Sequence, residues 1–279
     1  MRSSLTVGLA AAALAAAAAP VAGQSGDPAI ARGQMVALGS GMDQGQPACV
    51  QCHGMDGAAD ASGGVPRIGG QSGWYLYKTL GDYASGLRRN DVMTPVARAL
   101  GETERASVAA WYAAVAPATG AGHPAAAAAP ADLLQTGGAL AAAGDPTRGV
   151  AACAGCHGPN GIGMAPVSPA LAGQPAAYLA AQLRAWKEGR RSGDALDVMK
   201  QVSTALSEDQ IRAVAAYYAA IAPAPAGVGA APVASEAARG PTGATGSSGE
   251  KPPLLPGGGA SGLRGDRPPQ PAAGPASGN

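Results

Sequence analysis

The sequence predicts an all-α protein: two tandem helical domains, each of about 90 residues, followed by a disordered C-terminal tail. Three observations predict it. The chain is duplicated, because Gly33, Gly45, Cys49, Cys52 and His53 recur 104 positions later as Gly137, Gly149, Cys153, Cys156 and His157. Neither copy shows the apolar-polar alternation of a half-buried strand, and both close on a pattern with helical period. Behind the second copy, 23 of the 56 residues from 224 to 279 are Gly or Pro and none is aromatic, a composition that does not build a core.

The first element is an export signal. Arg2 precedes an uncharged apolar run from Leu5 to Ala19 and a small-residue stretch, Val21-Ala22-Gly23, suited to cleavage, so residues 1–23 have the pattern of a secretory signal peptide. An uncleaved anchor is the competing reading, which Pro20 and Gly23 disfavour by breaking the helix. The run falls short of the ~20 apolar residues of a bilayer span, and no later segment replaces it. The mature chain is expected to have no membrane span, although peripheral association stays open. Without Arg2 its 19 basic side chains become 18, matching the 18 acidic ones, and this balance excludes a strongly basic nucleic-acid face.

The register of the duplication marks the domains, residues 24–117 and 131–223. After the 104-residue offset it continues at 103 through Pro66 and Pro169, Gly70-Gln71 and Gly173-Gln174, Tyr75-Leu76 and Tyr178-Leu179, and Leu80 and Leu183. It ends at 106 with Met93 and Met199, Leu100 and Leu206, Trp111-Tyr112 and Tyr217-Tyr218, and Pro117 and Pro223. Aligning Asp27 with Asp145 would break this register. The last helix of the second copy opens on a capping box, Ser207-Glu208-Asp209-Gln210, and presents Ile211, Val214, Tyr218 and Ile221 on one face. Its counterpart runs from Glu102 to Val115 and buries Val108, Trp111, Tyr112 and Val115, with Pro117 and Pro223 ending the two helices. Residues 118–130, rich in Ala and Pro and containing His123, are expected to be a linker of moderate stiffness in which that histidine is solvated.

Four cysteines in an exported chain would ordinarily suggest two disulfides. Here all four fall in two identical frames, Cys49-Val50-Gln51-Cys52-His53 and Cys153-Ala154-Gly155-Cys156-His157, the motif of covalent c-type haem attachment. One helical turn presents both sulfurs and the imidazole to one side, where the sulfurs form thioethers and the histidine reaches the iron. A disulfide or a zinc half-site is the competing reading, and neither requires a histidine at that place twice. A buried haem also supplies the apolar surface that a small domain without any Phe lacks.

Of seven methionines only Met93 and Met199 occupy equivalent positions in both copies, which selects them as distal iron ligands over the ordinary reading of core filler. Met35, Met42, Met55 and Met164 are expected to be packing or surface residues. Pro66 and Pro169 lie 13 and 12 residues after the two histidines, where a carbonyl could accept the ring Nδ1 proton; a plain turn proline is the alternative. The pairs Arg88-Arg89 and Arg190-Arg191 could offset haem propionates or meet an acidic partner, though a solvated charged face is the commoner meaning of such pairs.

These residues resemble the di-haem class I cytochromes of the cytochrome c4 type over about residues 28 to 223. The likeness is carried by Ala152-Cys153-Ala154-Gly155-Cys156-His157-Gly158, Leu171-Ala172-Gly173-Gln174 with Tyr178-Leu179, Gly189-Arg190-Arg191, and Met199 followed by Leu206-Ser207-Glu208. It implies two tandem class I cytochrome c domains, each wrapped around a covalently bound haem, whose first and last helices cross with Gly33 or Gly137 near the aromatic pairs. It also implies two haems at the domain interface and a periplasmic electron carrier serving terminal oxidases. The Ala/Pro-rich linker and the long tail depart from a plain carrier. Three functions follow as expectations: a diffusing carrier between respiratory partners such as a quinol-oxidising complex and a terminal oxidase, a cytochrome subunit of a periplasmic dehydrogenase, and a haem enzyme acting on peroxide. The third is weakest, since both copies supply a methionine that closes the iron's sixth position.

Overall fold

The computed structural model describes residues 27–41, 45–58, 64–116 and 129–223, all within one contact-connected unit. The segments expected to be signal peptide, linker and tail, together with Met42, Pro117 and His123, lie outside the described residues apart from Ala129 and Pro130. Among the described residues ten α-helices follow in two sets of five: α1 (Pro28–Ala37), α2 (Cys49–His53), α3 (Gly73–Ser85), α4 (Met93–Ala99) and α5 (Glu102–Ala114), then α6 (Ala131–Ala143), α7 (Ala154–His157), α8 (Ala176–Lys187), α9 (Val198–Ala205) and α10 (Glu208–Ala220). Among the described residues β-pairing is confined to isolated bridges.

Local chemistry sets the helix ends. Asp27 caps α1 by accepting the Ala29 N–H, with Pro28 in the first turn, whereas Asp145 accepts the Thr147 N–H and caps a 3₁₀ turn, Pro146–Arg148. The two Asp-Pro pairs therefore start different elements, as the 104-residue register requires. At α10 the Ser207 hydroxyl accepts the Gln210 N–H while the Gln210 side chain accepts the Ser207 N–H, completing the expected capping box. Val115 and Ile221 are C-caps one residue beyond their helices, and both pack on the cores.

Each set has its own core. Val36, Leu76, Leu100, Val108, Trp111 and Tyr112 cluster in the first, and Leu179, Leu206, Ile211, Val214 and Tyr218 in the second. The terminal helices α1 and α5, and α6 and α10, make the closest crossings, which only glycine permits. A Cβ on Gly33 would stand 2.0 Å from the Ser107 carbonyl oxygen and 2.7 Å from Trp111 Cβ; on Gly137 it would meet the Ala213 oxygen at 2.2 Å and Tyr217 Cβ at 2.7 Å. Gly33→Ala or Gly137→Ala is expected to destabilise its own set of helices by about 3 kcal/mol or more, because a backbone oxygen cannot move aside as a side chain can. Chemical denaturation followed by far-ultraviolet dichroism checks this, and an unchanged midpoint would count against the crossing.

The two sets meet through reciprocal bonds. The Gln174 side chain accepts the Arg67 N–H (3.0 Å) and donates to the Arg67 carbonyl (2.8 Å); the Gln71 side chain accepts the Ala170 N–H (2.9 Å) and donates to the Ala170 carbonyl (3.1 Å). Gln71 and Gln174 are repeat partners at offset 103, and so are Arg67 and Ala170, so the interface has a local two-fold symmetry. An antiparallel bridge between Arg88 and Arg191, with Arg89 N–H to Arg190 O (3.1 Å) and Ser192 N–H to Leu87 O (2.7 Å), continues that symmetry.

Candidate functional site

Each Cys-x-x-Cys-His frame forms the short helix that its spacing predicts, α2 or α7, closed by a glycine of positive φ, Gly54 (76°) or Gly158 (75°). The first cysteine of each frame, Cys49 or Cys153, is half-buried against a core, and the second, Cys52 or Cys156, is exposed. No two of them are joined as a disulfide. Burial pushes the Cys49 and Cys153 thiols up, the reverse of what a reactive dithiol redox pair needs, so the frames fit attachment rather than disulfide exchange.

His53 and His157 are buried, and their rings face the two prolines marked in the sequence. His53 Nδ1 lies 3.1 Å from the Pro66 carbonyl oxygen, and His157 Nδ1 lies 2.9 Å from that of Pro169. Burial lowers the pKa of both imidazoles and the carbonyl contact only partly offsets it, so both rings are neutral near pH 7. A carbonyl can only accept, so Nδ1 carries the proton and the Nε2 lone pair is available to a metal. The same hydrogen bond fixes the ring plane. Of the two readings of these prolines, the carbonyl acceptor is the one the structure adopts.

Met93 opens α4 and Met199 lies in the first turn of α9, each half-buried. Their backbone N–H groups are held by side chains of the preceding loop, Met93 by Asn90 Oδ1 (2.8 Å) and Met199 by Asp194 Oδ2 (2.6 Å). The three extra residues of the second copy are accommodated where Leu196 (φ 59°) and Asp197 (φ 54°) adopt left-handed backbone conformations, which carry a strain of order 1–3 kcal/mol each in non-glycine residues. Met35, Met55 and Met164 are about half exposed, as surface residues should be.

The arginine pairs split, which corrects the expectation of a solvated face. Arg89 and Arg190 are exposed, but Arg88 (2% exposed) and Arg191 (5%) turn inward across the interface. Arg88 donates to the Tyr178 hydroxyl (2.8 Å) and Gln182 Oε1 (2.6 Å), and Arg191 to Gln182 Oε1 (2.9 Å) and the Tyr75 hydroxyl (3.1 Å). Arg88 also lies over the Tyr83 ring (4.6 Å) and Arg191 over Trp186 (3.7 Å). Burial alone would raise the Tyr75 phenol, but Arg191 and Arg88 outweigh it and pull its pKa down to about 7. The side-chain partners of these two guanidiniums are tyrosine hydroxyls and an amide oxygen rather than carboxylates, and the indole N–H of Trp186, stacked under Arg191, has no acceptor in the protein. Two buried cations and an orphaned donor suit an anionic group, which the propionates of a haem provide. The residues present therefore fit two haems c. Sequence reasoning missed the roles of Tyr75, Tyr178, Gln182 and the two interface glutamines; the tyrosines and Gln71 and Gln174 left a trace in their recurrence at the 103-residue offset, whereas Gln182, whose counterpart is Thr79, left none.

The family model described as cytochrome c matches residues 141–220, which span most of the second set of helices. Two haem c groups, each with its iron, on a duplicated all-helical fold define a di-haem c-type cytochrome, an electron-transfer protein. The chain is 40% identical over 191 residues to the thiosulfate dehydrogenase electron acceptor of Stutzerimonas stutzeri (strain A1501), covering 68% of this chain and 86% of the relative. Reduced cytochrome c4 from Pseudomonas stutzeri superposes with a TM-score of 0.58 at 31% identity, covering 71% of this chain and all of that one. Thiosulfate dehydrogenase from Marichromatium purpuratum gives a TM-score of 0.61 at 41% identity over 68% of this chain, which spans 40% of that one. The chain belongs to the cytochrome c4 family.

Proposed function

We propose that this chain is a periplasmic electron acceptor that takes single electrons from a thiosulfate-oxidising dehydrogenase and passes them to a respiratory partner such as a terminal oxidase. The partner is supported by one observation above the others: similarity at 40% identity to an electron acceptor of thiosulfate dehydrogenase over 86% of its length. The similarity to cytochrome c4 favours the onward step to a terminal oxidase, and free carrier and complex subunit differ here only in how long the partner stays bound. Residues 1–23 act as the signal peptide, 24–117 and 131–223 as the two haem domains, and 118–130 as the linker.

In this reading Cys49 and Cys52 hold one haem and Cys153 and Cys156 the other, as thioethers. His53 and Met93 would ligate the iron of the first, and His157 and Met199 that of the second. The haem supplies reversible one-electron chemistry. The protein keeps Nε2 of each imidazole unprotonated and the ring oriented through Nδ1, would offer a methionine thioether as the second ligand, and holds the buried guanidiniums of Arg88 and Arg191, which would suit haem propionates. Met/His ligation raises the potential and leaves small molecules no open position, which disfavours the peroxidase alternative.

Mixing the oxidised holoprotein with a thiosulfate dehydrogenase and thiosulfate in a stopped-flow instrument tests the proposal. Reduction of both haems, accounting for two electrons per chain, is expected, with thiosulfate alone ineffective. If the enzyme reduces this protein no faster than it reduces an unrelated mitochondrial-type cytochrome c, the partner assignment fails.

A further inference from the structure

The Pro66 carbonyl that receives His53 Nδ1–H and the Arg67 N–H that enters Gln174 belong to one peptide group. A trans peptide points its C=O and N–H in opposite directions. The result is a continuous hydrogen-bonded path from one half to the other: His53 Nδ1–H to Pro66 O (3.1 Å), then Arg67 N–H to Gln174 Oε1 (3.0 Å). The mirror path runs from His157 Nδ1–H to Pro169 O (2.9 Å), then from Ala170 N–H to Gln71 Oε1 (2.9 Å). Both glutamines are buried, and their amide orientation is fixed because each also donates Nε2–H to the next carbonyl, Gln174 to Arg67 (2.8 Å) and Gln71 to Ala170 (3.1 Å).

We infer that each glutamine is a positioning residue for the haem of the opposite domain, Gln174 acting through His53 and Gln71 through His157. The inference rests on reading the two histidines as iron ligands. When Gln174 accepts the Arg67 N–H, the peptide is polarised and the Pro66 oxygen becomes a stronger acceptor. His53 Nδ1–H is then drawn further toward that oxygen, the ring gains imidazolate character, and its Nε2 donates more density to the iron. Ferric iron is favoured, so the potential of the first haem is held down by a residue of the second domain. The second haem is held down in the same way by the first domain.

The test is a redox titration of the full-length holoprotein and of Gln174→Leu and Gln71→Leu, with each haem assigned by its ligand resonances. In Gln174→Leu the haem on Cys49 and Cys52 should become easier to reduce, its ferrous-to-ferric ratio at fixed potential rising about threefold, a fraction of the roughly 10–100-fold that loss of a direct partner brings. The other haem should stay put. Gln71→Leu should give the opposite pattern, and Gln174→Glu, which keeps the acceptor, should return the first haem to its original potential or below. A glutamine that merely fastens the domains would shift both haems together, or neither, with the unfolding midpoint falling alike in the Leu and Glu variants; that outcome overturns the inference.

Where Leu lowers stability too far, Gln174→Asn removes the same contact by shortening the side chain. The His53 Nδ1–H resonance of the ferrous protein then reports the bond directly: it should move upfield in the Gln174 variant while that of His157 does not, and an unmoved His53 resonance sinks the relay. The ligand assignment is checked separately in the unmodified protein. Ligand histidines show imidazole protons displaced by the haem ring current, and their absence would remove that reading before any glutamine is changed.

Discussion

Replacing Met199 by alanine is expected to abolish the sulfur-to-iron absorption at the red end of the spectrum for one haem and to leave the other intact; Met93→Ala should do the same in the first domain. The potential of the affected haem should fall on the order of 0.1–0.2 V, a modest share of the about 0.8 V over which axial ligands tune haem iron. The thioether stabilises ferrous iron, and water or hydroxide in its place does not. Among the described residues the two methionines share a place that no other methionine has: each lies in the first turn of the short helix before the closing one, with its backbone N–H tied to Asn90 or Asp194. The altered haem should also bind carbon monoxide promptly and stoichiometrically, whereas the unaltered protein resists it. Met35, Met55 and Met164, about half exposed, serve as controls whose replacement leaves the spectrum alone. An unchanged band in Met93→Ala or Met199→Ala would show that a different residue is the ligand.

Changing Cys153 and Cys156 together to serine is expected to halve the covalently bound haem from two per chain to one and to unfold the second domain. Denatured wild-type protein should carry both haems and exceed the polypeptide mass by two of them; the double variant should exceed it by one. The unfolding follows from the size of the core, whose fully buried apolar cluster in the second domain comprises nine residues, three of them alanines, with Tyr218 its only aromatic member. So small an apolar cluster leaves little margin for the domain to fold alone, and a bound haem would add apolar surface to it. Near-complete retention of helical dichroism in the double variant would mean that the polypeptide core suffices. Mass spectrometry of the denatured protein decides the stoichiometry independently of folding.

How far the sequence could be read depended on the range of the interaction. The attachment frames, the capping box at Ser207 and the glycine crossings at Gly33 and Gly137 are encoded within a few residues or repeated at a fixed offset, and both kinds of signal survive in one chain. The Pro66 and Pro169 carbonyls were legible as candidates because they follow the histidines at nearly the same distance, 13 and 12 residues, but a turn proline has the same spacing, so only the folded chain separates the two readings. Arg88 was legible as a charge but not as a buried one. Its burial depends on Tyr178 and Gln182, which are 90 and 94 positions away and reach it only because the two halves pack face to face. The glutamine contacts were hidden for a related reason: their partners are main-chain atoms, and every residue type has those.

That last property bears on how such a protein could arise. An interface in which residue i of one half meets residue j of the other, and j of the first meets i of the second, is isologous, the arrangement by which two identical subunits form a closed pair. Here Gln174 meets Arg67 while Gln71 meets Ala170, so side chains as unlike as a guanidinium and a methyl occupy matching seats without loss of either bond. A self-complementary pair joined into one polypeptide keeps its two-fold contacts while each half becomes free to change alone. Ser72 and its counterpart Pro175 record such a change: the Ser72 N–H also donates to Gln71 Oε1 (3.1 Å) and its hydroxyl to the Pro166 carbonyl (2.7 Å), neither of which a proline can do. The two-fold symmetry persists in the main chain, and its breaking is written in the side chains.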